Sequence, residues 1–341
     1  MERGAGTVTR RWLDDPEQRT LLLTPRDDIV AEVVRQDHSS GGTGGSAVLG
    51  RFEQAHGPFG SYRRDVLFDG EQLVETTRYR LTLPWFAWLF APAVRGVLRR
   101  RLSYQSWWAP PDRLDATHVL VLGLLAAASM SAAFVNTLFT QTAEFAADDF
   151  GVGDSGIGDA GAIVRAGIIF ALPAAVVADR IGRRRVTVWL AWLAPTLSLL
   201  GALAPSFTVL VASQAVARPM GIALAFLVGV IAAEEMPRNS RAYAISVLAM
   251  ASGFGAGVAV MSLRLADLAE SGWRYVYVVA AVWCVIALDL ARRLPETRRF
   301  SARRAEASAG RSTDGTSLFG ARLDRRRFTL LASGAFCGNV F

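Results

Sequence analysis

The sequence predicts an all-α membrane protein, a six-helix bundle preceded by a small α+β or partly disordered N-terminal region. Three observations carry this. Six apolar stretches, near 118–141, 159–178, 187–204, 207–233, 242–264 and 274–291, are long enough to cross hydrocarbon, which takes roughly 20 helical residues. Arginines concentrate in alternate connections between those stretches. Residues 1–113 are polar and charged by contrast, so the 52% hydrophobic composition of the 341-residue chain averages two unlike parts.

In the N-terminal part, residues 1–38 mix charge with the short apolar run Leu21-Leu22-Leu23. Residues 39–46, SSGGTGGS, form a flexible linker. Residues 63–83 alternate apolar and polar side chains on either side of Asp69-Gly70, which predicts two strands and a hairpin turn. The stretch 85–108 follows: aromatic and Leu residues first, then Arg95, Arg99, Arg100 and Arg101. It is too short and too basic to span. Two readings fit it. One is an interfacial segment with Trp107 and Trp108 at headgroup depth. The other is the last helix of a small α+β domain, packed on its own sheet. Pro110-Pro111 ends it.

Charge then places the loops. Arg180, Arg183, Arg184 and Arg185 follow the second span, Arg238 and Arg241 the fourth, and Arg292, Arg293, Arg298, Arg299, Arg303 and Arg304 the sixth. The connection after the first span is acidic, with Glu144, Asp148, Asp149, Asp154 and Asp159, and is expected to be a long loop. Arg264 and Arg274 flank the fifth-to-sixth connection, where Asp267 and Glu270 offset them. Basic loops stay on the cytoplasmic side, so the expectation is a multi-pass protein of the cell's inner (plasma) membrane with a cytoplasmic N-terminus. Domains are expected at 1–113 (N-terminal extension), 114–298 (six spans) and 299–327 (cytoplasmic central loop). A seventh apolar run occupies 328–341, and the chain reads as stopping within it.

Several function classes are excluded. The formal charge of +7 comes from arginines that bracket apolar spans, so it is an orientation signal and not a nucleic-acid footprint. All 37 basic residues are Arg, which suggests a high-GC bacterial genome. Cys284 and Cys337 both lie in apolar stretches and give no disulfide framework or thiolate metal site. The histidines are His38, His56 and His118, too few for zinc or triad chemistry, and no nucleotide-binding fingerprint is present. Neither an enzyme nor a bound cofactor is expected. The charged first twenty residues are no signal peptide.

The run AAVVADRIGRRR at 174–185 joins the second and third apolar stretches. Gly182 gives the tight turn its backbone freedom. The run resembles the second-to-third loop of the major facilitator superfamily, G-x-L-A-D-R-x-G-R-R, with Ala178, Asp179, Arg180, Gly182, Arg183 and Arg184 matching. Glu234, Pro237 and Arg241 match the E-x-x-P-x-x-x-R that closes the fourth span, Gly272-Trp273-Arg274 the G-W-R that opens the sixth, and Pro295-Glu296-Thr297 the P-E-[ST] after it. The resemblance covers about 116–300, one six-helix half. It implies a secondary transporter of twelve spans, with a midplane substrate site between two halves that rock for alternating access. The other half would follow in the same chain. The resemblance also implies that Asp179 latches the halves on the cytoplasmic side, with Arg180, Gly182, Arg183, Arg184, Glu234 and Arg241 in the same charged gate.

Substrate contacts are read from intramembrane polarity. Arg218 sits near the middle of the fourth span beside Pro219, and Arg165 in the second. Ionised groups at such depth face a partner or a wet cavity. Either one binds an anionic group or controls a coupled proton, or it pairs structurally; Arg165 has the further option of snorkelling. Asn136, Gln141 and Gln214 are cavity candidates or interhelical hydrogen bonds. Many members of the resembled family carry an Arg where this chain has Gln214. In the fifth span, Gly253-Phe254-Gly255-Ala256-Gly257 allows close packing but lacks the proline of the drug/proton antiporters. The expectation is a small-molecule transporter in the lipid bilayer, coupled to protons, for an organic anion or carboxylate-bearing metabolite. Export of hydrophobic compounds and a transporter-like sensor are the alternatives.

Overall fold

The computed structural model describes residues 5–35, 47–100 and 108–297. The expected linker at 39–46, Trp107, the central loop at 299–327 and the run at 328–341 lie outside the described residues.

The N-terminal region is more ordered than its sequence predicted. In chain order it holds β1 (Ala5–Leu13), α1 (Pro16–Leu23), β2 (Ala31–Val34), β3 (Ala47–His56), β4 (Phe59–Phe68) and β5 (Gln72–Leu81). The strands form one antiparallel sheet in the order β1-β5-β4-β3-β2. The expected β4–β5 hairpin is present, turning at Gly70 with φ of 90°. Three further strands join it, because an isolated two-stranded hairpin is marginal in water. The Asp15 carboxylate accepts from the Glu17 and Gln18 amides and starts α1. Leu22 of that helix is buried with Phe52, Val66 and Leu73.

A charged cluster lies inside this domain. Arg64, fully buried, donates to Glu32 Oε1 at 2.8 Å and Oε2 at 2.6 Å. It also reaches the Leu22 carbonyl at 2.7 Å and Glu75 at 3.4 Å. Tyr62 donates its hydroxyl to Glu32 at 2.6 Å. Burial alone would push the Glu32 carboxyl up, but the Arg64 guanidinium, the Tyr62 hydroxyl and the Arg26 amide outweigh it and hold the group below the usual carboxylate range.

Helix α2 (Ala87–Arg99) follows β5. Val94 and Leu98 pack on the sheet with Val8, Phe59 and Tyr79. Arg26 donates to the Leu98 and Val97 carbonyls at 2.9 and 3.1 Å and so fastens the C-terminal end of α2. The packed-helix reading therefore holds for this end. At the other end Trp88 is 75% exposed.

The remaining described residues form a helical bundle: α3 (Ala116–Phe150), α4 (Asp154–Ala166), α5 (Leu172–Ile181), α6 (Arg183–Leu200), α7 (Phe207–Glu235), α8 (Arg241–Ser262), α9 (Trp273–Val278) and α10 (Ala280–Arg293). Counting short 3₁₀ extensions, five continuous stretches among the described residues are long and apolar enough to cross a membrane: Ala116–Phe150, Arg183–Leu203, Phe207–Glu235, Arg238–Leu268 and Trp273–Arg293. The chain is an all-α membrane protein with a small N-terminal sheet.

Two expectations are corrected. The acidic stretch after the first span is no long loop. Helix α3 runs on to Phe150, and the chain turns at Gly151, left-handed with φ of 66°. The second span is not one helix. It is α4, a 3₁₀ turn over Gly167–Ala171, and α5. Pro173 lacks the N–H that would bond Ile169 in a continuous helix. Gly167 lets the break press on α7, since a Cβ there would lie 2.6 Å from the Ala215 carbonyl oxygen.

Helix α3 packs most extensively against α8 and α7. A Cβ at Gly255 would collide with the Met130 backbone, whereas Gly253 and Gly257 face open space. Ser129 adds a bond to the Leu248 carbonyl at 3.0 Å. The sheet joins the bundle at the start of α3. His56 Nδ1 lies 2.6 Å from Asp115, and Arg113 is 2.7 Å from Asp27. Nearby, Asn239 and Ser240 donate to Asp112, hydrogen bonds that hold its carboxyl below the usual range.

Candidate functional site

Two groups of charged residues stand out on the bundle, one at mid-depth and one at its arginine-rich end.

At mid-depth, Arg218 lies eleven residues after Phe207 in α7, about 16 Å at the helical rise. Arg165 lies eleven residues after Asp154, in the last turn of α4. The two are near enough for their charges to repel. Arg218 is half-buried and Arg165 is exposed. Among the described residues neither has a carboxylate within ion-pair distance. Their elements explain the placement. At about 100° per residue, Gly221, whose added Cβ would meet Asn136, marks the α7 stripe facing α3. Ala215 and Pro219 mark the stripe facing Gly167. Arg218 projects between them. Arg165 sits where α4 stops, and the open carbonyls of a helix C-terminus favour a cation.

The uncharged candidates divide. Asn136 lies beside Gly221 with its Oδ1 buried and without a hydrogen-bond partner, close to the Arg218 face. Gln141 is partly buried, one turn and a half further along α3. Gln214 is fully buried, bonded to Ser213 at 3.1 Å, and packed against Gly201 at the far end of α6. It is part of the wall between helices.

At the arginine-rich end, Gly182 turns the chain from α5 into α6 with φ of 109°. Arg183 then bridges two helices. It donates to Asp179 at 3.0 Å and pairs with Glu234 of α7. Arg184 clamps a third element, reaching the Leu294 and Ala291 carbonyls at the end of α10 at 2.5 and 2.7 Å. Its backbone amide donates to Glu296 at 3.2 Å. Arg241, expected in this cluster, turns instead to the Met236 carbonyl at 3.4 Å. That carbonyl lies just past α7 and has no helical amide left to bond. Arg180 is exposed, with no ion pair among the described residues.

Sequence reasoning missed Asp289. It lies in the last turns of α10, where Trp85 donates to it at 3.0 Å and Arg293 pairs with it at 2.6 Å. A lone carboxylate near the end of an apolar stretch was the available signal. Among the described residues no group of His, Cys, Asp or Glu could hold a metal ion.

This arrangement, a bundle of apolar helices with an Asp-Arg-Gly-Arg turn tied to the fourth and sixth spans, is accompanied by a family match. The sequence pattern of the Major Facilitator Superfamily fits residues 123–341. The chain belongs to the major facilitator superfamily. No curated protein matches it. Solved structures similar to it include a bacterial homologue of the human lysosomal transporter Spinster, 21% identical, covering 52% of this chain and 44% of that one, with a TM-score of 0.44. The xylose transporter XylE from E. coli is 17% identical over 64% of this chain and 56% of its own, with a TM-score of 0.47. A D-xylose–proton symporter is 18% identical over 59% and 54%, with a TM-score of 0.45. The chain spans about half the length of these structures.

Proposed function

We propose that this superfamily member moves a small organic anion by alternating access, in a proton-coupled cycle, with Arg165 and Arg218 binding the anionic group. One observation carries the reading: the two guanidiniums lie within electrostatic reach of each other, and among the described residues neither has a carboxylate within ion-pair distance. Like charges in a low-dielectric region are costly, and an anion held by both relieves that cost. The break in the second span supports it. Discontinuous helices mark midplane sites because their open ends supply polar backbone groups. Asn136 adds a polar group on the same side. Asp179, Arg183 and Glu234 form the gate, and the arginine-rich end faces the cytoplasm of a bacterial inner membrane.

The test is transport by the full protein in proteoliposomes, with a panel of mono- and dicarboxylates. Arg218→Lys keeps the charge but loses the planar fork, so the half-saturation for the transported anion should rise roughly tenfold or more, the value of one lost charge-assisted hydrogen bond. Arg218→Ala should abolish uptake while the protein still folds. Normal uptake in Arg218→Ala, or movement of neutral hydrophobic compounds alone, would overturn the reading.

A further inference from the structure

The segment joining the sheet to the bundle carries a surface that neither unit uses. Leu83 and Pro84 press on Gly123 of α3, where an added Cβ would lie 2.6 Å from Pro84 Cδ. Gly123 is seven residues into α3, roughly 10 Å below its start. Trp85 is tied to Asp289 of α10, four residues before that helix ends at Arg293. Phe86 packs against the bundle core. The start of α2 is thereby fixed beside the ends of the first and sixth spans at the arginine-rich end, where spans of this length are expected to leave the hydrocarbon. Trp85 itself has φ of 62°, the one non-glycine residue with positive φ among those described. A bulky side chain is held there only by its surroundings.

From this anchor α2 presents two faces. One packs on the sheet through Val94 and Leu98, with Val97 buried beside them. The other carries Trp88, Pro92, Arg95 and Arg99 at spacings of four, seven and eleven residues, so they share a stripe. Trp88 is 75% exposed. Beside it opens a cleft of about 650 Å³, lined by Trp85, Trp88, Arg95, Asp289 and Arg293 among others. Arg293 is neutralised by Asp289 at 2.6 Å. Arg95 has no partner among the described residues, so the cleft keeps a net positive charge.

We propose that this cleft binds the headgroup of an anionic phospholipid from the leaflet at the arginine-rich end. The phosphate lies against Arg95, and Trp85 and Trp88 sit at the glycerol level. Three features select a lipid. The depth matches the membrane–water boundary, and an indole with an exposed apolar body belongs there. The charge order runs from aromatic to basic away from the anchor, as in interfacial helices. An anionic surface attracts each nearby Arg by an additive increment. The sheet domain is thus pinned at the membrane surface beside the bundle.

The test uses the full chain in detergent, with phosphatidylglycerol, phosphatidylcholine or inorganic phosphate added, and reads the melting temperature. Phosphatidylglycerol should raise it more than phosphatidylcholine does, and inorganic phosphate should not. Arg95→Gln should halve that increment or remove it without changing the melting temperature in phosphatidylcholine. A nitroxide on Trp88→Cys, in a Cys284→Ser, Cys337→Ser background, should collide with lipid-soluble oxygen more than with a water-soluble nickel chelate in phosphatidylglycerol nanodiscs. A full increment in Arg95→Gln, an equal effect of inorganic phosphate, or a water-exposed label would each overturn the proposal.

Discussion

His56 of the sheet places its Nδ1 2.6 Å from a carboxylate oxygen of Asp115, the residue that caps the first span. Its other ring nitrogen, Nε2, is 3.0 Å from the Arg113 carbonyl. Both neighbours are acceptors, so both contacts are hydrogen bonds only when each ring nitrogen carries a proton. His118 is arranged the other way, its Nδ1 accepting from the Asp115 amide at 3.3 Å. One carboxylate thus joins a strand of the N-terminal domain to the start of the membrane bundle.

Replacing His56 by Ala should loosen this junction without unfolding either part. The pair is nearly half-exposed, so its net worth is modest. Hydrogen exchange of the amides at 113–118 should rise several-fold, while those of β4 and β5 stay protected. Unchanged exchange at 113–118 would show that the His56–Asp115 pair does not hold the junction.

Glu32→Gln should cost up to about 3–5 kcal/mol, the upper end for breaking a buried ion pair, because Arg64 is fully enclosed and keeps only the longer carboxylate contact to Glu75 at 3.4 Å. The pH dependence has a fixed sign. The folded carboxyl titrates below its unfolded value, so its stabilisation is complete above the usual carboxylate range and is lost as pH falls through the folded value. Cleavage within 5–81 of the full chain by pepsin, which stays active in acid, should accelerate as pH falls through the folded value in the parent and depend on pH much less in the variant.

Asp179→Asn should shift the conformational balance and leave expression nearly intact. Arg183 keeps Glu234 in this variant, so the α6–α7 tie survives while the exposed tie to Asp179 weakens. Thiol accessibility of a cysteine placed at the arginine-rich end should increase. Accessibility equal to the parent's would remove Asp179 from the gate.

Gly255→Leu should destabilise the bundle by roughly 1–3 kcal/mol or more, the cost of overpacking, because a side chain there meets the Met130 backbone. Gly257→Ala, two residues away in open space, should be tolerated. Melting temperatures of the purified variants separate the two; an equal loss in both would point to helix flexibility instead of close approach.

The proposed orientation is tested with Ser155→Cys and Ser308→Cys, each in a chain lacking Cys284 and Cys337. An impermeant thiol reagent added to whole cells should label position 155 only. Labelling of 308 alone would invert the topology.

Much of the bundle was legible in the sequence because apolar length and Arg placement are strong signals. The turn at Gly182 and the Arg183–Glu234 pair lie among residues singled out by pattern alone. Other features depend on distance in space. Nothing local to Arg241 shows that the Met236 carbonyl is its nearest acceptor. The break at Gly167 needed the weight of Pro173 and the proximity of α7 together. The sheet was half-seen, since β1 and β3 gain their places only by pairing with β5 and β4. Arg165 and Arg218 were each visible as charge within an apolar stretch, but not as neighbours. Their proximity comes from how α4 ends against α7.

The split second crossing has a mechanical consequence. A continuous helix of its length would carry any tilt at one end to the other. Here a single 3₁₀ turn separates two short rods, and Pro173 leaves the Ile169 carbonyl without its helical bond. Bending is therefore cheapest at that joint. The rod bearing Asp179 ends in a turn that Arg184 fastens to the sixth span and Arg183 to α7, while the rod bearing Arg165 is seated on α7. A tilt at the charged turn is therefore largely absorbed at the joint before it reaches Arg165, while the Arg183–Glu234 pair carries it to α7.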